Sequence, residues 1–120
     1  MKQTASTGDC FIVAGHMVMD DDDLTLVHGL AVGQGPIEGV MHWHAWVERS
    51  SRFPMPDGRH VDLTVVVDRS NGKDVEMPAA LYYKIGRVGE TRRYTPTEAR
   101  VEMLRHEHWG PWPLPPKGPS

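Results

Sequence analysis

The sequence predicts an α+β domain: one N-terminal helix, a small antiparallel sheet and two C-terminal helices. Three observations carry that expectation. An apolar run starts directly after an aspartate suited to capping, in "GDCFIVAGHMVM". The centre holds three segments rich in β-branched residues, separated by glycine, proline and asparagine. The last third carries threonine and proline where helices start and glycine where they stop. A chain of 120 residues is one domain, long enough to bury a core without disulfide staples.

The elements follow in order. Residues 1–9 are polar, and Asp9 is expected to cap the first helix. "CFIVAGHMVM" is apolar nearly all round, which places that helix centrally. Four carboxylates, Asp20 to Asp23, would oppose the dipole at a helix C-terminus, so they belong to a solvated connection beyond it. Their spacing lacks the alternation and the glycine of a calcium loop. "LTLVHGLAVG" reads as a strand, "QGPIEG" as a loop and "VMHWHAWVE" as a second strand. "SSRFPMPDGR" reads as a turn-rich connection, "HVDLTVVVD" as a third strand and "RSNGKD" as a turn around Asn71-Gly72. In "MPAALYYKIG", Pro78 suits the first turn of a helix and Gly86 its end. In "YTPTEARVEMLRHEHWG", Thr95 is the N-cap, Pro96 the first helical position and Glu98 the partner in a capping box, with Gly110 and Pro111 as the stop. "RVGETRRY" between them is expected to be a solvated basic loop. The domain then covers residues 1–110, and 111–120 form an extended proline-rich tail.

Composition narrows the function. A net charge of −3 argues against a nucleic-acid binder, which would present a basic face. Cys10 is the single cysteine, so no intramolecular disulfide can form. The start has neither the charge pattern nor the clean apolar run of a signal peptide, and no segment has transmembrane length. The expectation is a cytoplasmic protein without membrane association.

The chemistry-bearing residues are Cys10, His44 and Asp68. Cys10 falls in the first turn of the first helix, where orphan N–H groups and the dipole favour thiolate. His44 lies on the second strand and Asp68 ends the third, so the two approach if those strands are neighbours. A base beside a nucleophile, itself oriented by a third group, is the logic of covalent catalysis. "GDCFIVAGHM", "LVHGLAVG", "HAWVE" and "VVVDRS", in that order, resemble the core of the transglutaminase-like superfamily of papain-like thiol enzymes over about residues 8–70. The resemblance implies Cys10 as nucleophile, His44 as base and Asp68 as orienting carboxylate. It implies a peptidase, amidase, deamidating enzyme or acyltransferase acting on a peptide or protein without a cofactor. The backbone N–H of Cys10 is one oxyanion donor by position. Gln3, roughly where papain-like enzymes keep a glutamine, and Gln34 are candidates for the second. His42 and Trp46 share the face of His44 by alternation and are candidates to line the cleft, whereas Trp43 faces the other side.

A rival reading uses the same stretch, "HWHAWVE". His42, His44 and Glu48 fall on one face of a strand, and two histidines with a carboxylate can hold iron, manganese or zinc. The run resembles the first metal motif of the cupin family. Two C-terminal helices suit a cupin barrel poorly, and "PMPDGRH" follows too soon to supply the second motif. A non-catalytic binding module on the thiol-enzyme fold is the third reading.

Overall fold

A computed structural model describes residues 9–32 and 41–113. Over the described residues it is an α+β fold of three α-helices and one five-stranded antiparallel sheet. The elements are α1 (Cys10–Asp20), β1 (Thr25–Val32), β2 (Met41–Pro54), β3 (His60–Asp68), β4 (Val75–Pro78), α2 (Ala79–Gly86), β5 (Thr91–Tyr94) and α3 (Pro96–His106). The strand order is β4-β3-β2-β1-β5. Among the described residues no helix is long and apolar enough to cross a membrane.

Period-two alternation gives the sheet two faces with different covers. One face carries Leu26, Ala45, Val47, Val65 and Val67, and α1 lays Cys10, Phe11, Ala14 and Val18 on it. The other carries Val27, Trp46 and Val66, against which α2 packs Tyr82 and Tyr83. Burial of these side chains is the main stabilisation, at roughly 25 cal/mol per Å² of apolar surface. Trp43 is partly buried on the α1 face, opposite the histidines as alternation requires.

Several boundaries differ from the sequence expectation. β2 runs further than expected, to Pro54, and pairs with β3 through Pro54↔His60, so "SSRFP" is strand and only Met55–Arg59 turns, while β3 keeps its expected bounds, His60–Asp68. That hairpin arm leaves Phe53, Met55, Val61 and Leu63 exposed. Pro78 ends β4 and occupies the N-cap of α2, rather than its first turn. "TRRY" is an edge strand, not a loop, and Arg92 lies 4.4 Å over the Trp43 ring. Asp20 is the last residue of α1, with Asp21 to Asp23 beyond it.

Helix ends show which sequence signals act locally. Thr95 and Glu98 form the reciprocal capping box, with bonds of 3.1 and 2.9 Å. α3 stops at His106, with Glu107 left-handed, before Gly110 and Pro111 are reached. Asp9 precedes α1 but gives it no side-chain cap. Its carboxylate instead accepts the Asn71 N–H at 2.8 and 3.0 Å, tying the start of α1 to the turn after β3. The proline-rich segment is packed at its beginning: Trp112 is 1% exposed and belongs to the core.

Candidate active site

β3 sets the site by where it stops. Its pairing with β2 ends at Val47↔Val67, while β2 runs back to Met41 beside β1 alone among the described residues. The first turn of α1 and the Ser70–Gly72 turn come together next to that unpaired stretch. Cys10, on the α1 face, thereby reaches His44 across the flank of β2, and the two side chains are hydrogen-bonded. His44 Nε2 donates to Asp68 Oδ2 at 2.9 Å. With Nε2 committed to Asp68, Nδ1 is the nitrogen left for the thiol.

Asp68 is 2% exposed, and a carboxylate so buried must be fully hydrogen-bonded. Its Oδ1 accepts the Ser70 N–H at 3.0 Å and the Ser70 hydroxyl at 2.7 Å. Its Oδ2 accepts the Tyr82 hydroxyl at 2.9 Å beside the imidazole, with the Lys73 ammonium 3.4 Å away. Burial pushes the Asp68 carboxyl up, but the bonds from His44 and Ser70 outweigh it and hold it well below the usual range. Burial likewise opposes charge on His44, yet its bonds to Asp68 and Cys10 prevail, and the imidazolium is raised to about 9. Sequence reasoning missed Ser70, Tyr82 and Lys73. Ser70, immediately after "VVVDR", is the only one with a sequence signal, since serine two residues after an aspartate often closes such a turn.

The structure brings Cys10, His44 and Asp68 together. It leaves Glu48 apart from the histidines: four residues along a strand is about 13 Å. Trp46 stands between, and Glu48 accepts from Trp46 Nε1 at 3.0 Å, from Arg93 at 3.4 Å and from Tyr83. Among the described residues no group of three metal-ligating side chains is arranged to hold an ion. The His42 ring lies 6.2 Å from that of His44. Trp46 is 1% exposed and is a core side chain, closed to solvent. Gln3 and Gln34 lie outside the described residues.

Cys10 itself is 1% exposed, beside a crevice too narrow to admit a water molecule, bordered by Ala14, Met17, Trp46 and Ser70. A wider hollow of about 370 Å³ lies between Phe11, Ile12, Trp43 and Trp109, and Cys10 does not line it. The three side chains therefore meet, but the thiol is covered.

The Trp46 ring, which backs His44 at 5.8 Å between centroids, is seated on Gly29. A Cβ on Gly29 would fall 2.3 Å from Trp46 Cη2 and 3.0 Å from Cζ3. Gly29→Ala is expected to destabilise by about 1–3 kcal/mol through overpacking and to shift Trp emission as the indole moves. Unfolding midpoints and emission spectra unchanged from the parent would contradict this packing.

Comparison with known families, curated proteins and solved structures gives no match to this chain. The site itself is therefore the basis for any assignment of function.

Proposed function

We propose that this protein is a minimal thiol enzyme of papain-like, transglutaminase-like type, which cleaves or exchanges an amide through an acyl-thioester on Cys10. The observation that carries the reading is the continuous hydrogen-bonded chain from Cys10 through His44 to Asp68, with an imidazolium favoured to about 9. A charged imidazole next to a thiol is what a nucleophilic cysteine requires. Support also comes from the placement of Cys10 at the first residue of an 11-residue helix, where free N–H groups suit an oxyanion.

In this reading His44 takes the thiol proton and the thiolate attacks the carbonyl carbon of a peptide bond or glutamine-type amide. A C–S bond forms and the carbonyl electron pair moves to oxygen. As the oxyanion collapses, the C–N bond breaks and imidazolium gives its proton to the departing amine. Water or a second amine, deprotonated by His44, then attacks the thioester; the C–S bond breaks and the proton returns to sulfur. Asp68 holds the ring by Nε2 throughout and stabilises its charge. The cover over Cys10 must open for a peptide to enter.

That cover favours a second reading, a non-catalytic module on the same fold, because a thiol at 1% exposure resembles a packed apolar side chain. Iodoacetamide separates the two. Cys10 of the native protein is expected to alkylate readily at pH 6.5, and His44→Gln to slow it by about tenfold or more, since the thiol then loses the imidazole that takes its proton. Labelling only after denaturation would leave the non-catalytic module standing.

A further inference from the structure

We propose that Tyr82 is a positioning residue for this chemistry. By donating to the Asp68 oxygen that also holds His44, it limits how firmly Asp68 grips the imidazolium and keeps that proton available to a leaving group. The inference rests on the thiol-enzyme reading and adds a residue to it.

The geometry is specific. Tyr82 Oη and His44 Nε2 both lie 2.9 Å from Asp68 Oδ2, so the two donors share one oxygen. The other oxygen is occupied by Ser70. A carboxylate oxygen has two lone-pair sites, and a second donor on it draws charge away from the first. The placement comes from α2, whose Tyr82 ring packs on Trp46 at 5.1 Å, while Trp46 packs on His44 at 5.8 Å. Tyr82 thus reaches Asp68 along one side of an aromatic stack whose far end is the catalytic imidazole.

The reason for such a brake lies in the other groups around His44. Asp68 faces it from β3, Cys10 from α1 and His42 from its own strand; Lys73 and Tyr82 act on it through Asp68, and Tyr83 lies beside Tyr82. Two of these, Asp68 and Cys10, stabilise the imidazolium, which is already held up to about 9. A general acid works best when its proton is not bound too tightly for the operating pH. The Tyr82 phenol keeps its own proton, because burial and the nearby Asp68 charge disfavour a phenolate. It is therefore a permanent donor across the working range.

The test is a pH titration of the His44 ring by NMR on the full chain. In Tyr82→Phe the His44 midpoint is expected to move up by about half a pH unit, because the share of Oδ2 charge that Tyr82 draws is released to the donors that remain, His44 first among them at 2.9 Å. A merely structural role predicts the opposite sign, since loosening the site lets His44 relax towards an ordinary histidine. A midpoint that stays or falls overturns the inference. If Tyr82→Phe does not fold, a ring-fluorinated tyrosine at position 82 keeps the shape and donates more strongly. It should move His44 down, and an upward or absent shift overturns the inference equally. Iodoacetamide labelling separates the two levels. An unreactive native Cys10 removes the thiol-enzyme reading and this role with it. A reactive Cys10 with an unmoved His44 removes the Tyr82 role alone.

Discussion

Asp68→Ala is expected to cost the fold about 3–5 kcal/mol, because it strips the partner from a buried charge. At 2% exposure Asp68 receives His44, both donors of Ser70 and Tyr82. Alanine leaves those donors facing a small cavity with few replacements, and each unsatisfied buried group is worth ~1–3 kcal/mol. Asp68→Asn retains the shape and one acceptor oxygen, so it should fall between alanine and the parent. Urea unfolding measures both. A loss under ~1 kcal/mol for alanine would mean that Asp68 is not the hub described. The same substitution frees the thiol's partner from its anchor, so Cys10 alkylation at pH 6.5 should fall along with stability.

Stability is expected to peak near pH 6.5 and to decline on both sides, for reasons carried by two different histidines. His28 is fully buried, and neither ring nitrogen has a hydrogen-bond partner among the described residues. It packs as an aromatic group against Phe11, Tyr94 and Trp112, at 4.8, 5.1 and 4.9 Å. Burial, then the Arg92 charge, lowers it to about 3. The unfolded chain takes up that proton near pH 6.5. Between pH 6.5 and 3 the unfolded state holds more protons, so this stability is whole above 6.5 and is lost as pH falls. His44 has the opposite sign: the folded state keeps its proton to about 9. Its contribution is whole below 6.5 and is lost as pH rises towards 9. Each pH unit separating the folded and unfolded midpoints is worth ~1.4 kcal/mol, so each limb amounts to a few kcal/mol. Denaturant midpoints at pH 5, 6.5 and 8.5 trace the curve. His28→Leu should flatten the acid limb and His44→Gln the alkaline one. A profile flat from pH 4 to 9 would contradict both assignments.

Legibility varied with how local the cause was. The box of Thr95, Pro96 and Glu98 lies within four consecutive positions, and it formed as read. The three central strands were visible because their β-branched residues and glycine breaks are themselves the cause of the strands. β4 and β5 were not visible. "VEMP" and "TRRY" are only 4 residues each, too short for their own pattern to mark them, and they are strands because they pair with β3 and β1. Asp9 was legible as a helix-start residue but not as the partner of Asn71, which comes near only once β3 and α1 are docked. Glu48 looked equivalent to the histidines by alternation. Its carboxylate was claimed by Trp46, Tyr83 and Arg93, the last two from elements whose positions no local pattern announces.

The sequence by itself determined the α+β class, the order of the main elements and the three residues that meet at the site. Each depends on short-range periodicity, on capping chemistry or on residue type. Only the tertiary structure decided that β3 stops at the level of Trp46, opening the flank through which Cys10 reaches a histidine on the other face. It also decided that Asp68 is shared among His44, Ser70, Tyr82 and Lys73, and that the thiol is covered. The physical reason is that strand register, helix docking and burial are set by the packing of the whole chain at once. Hydrogen bonds across them have no signature in any window of the sequence.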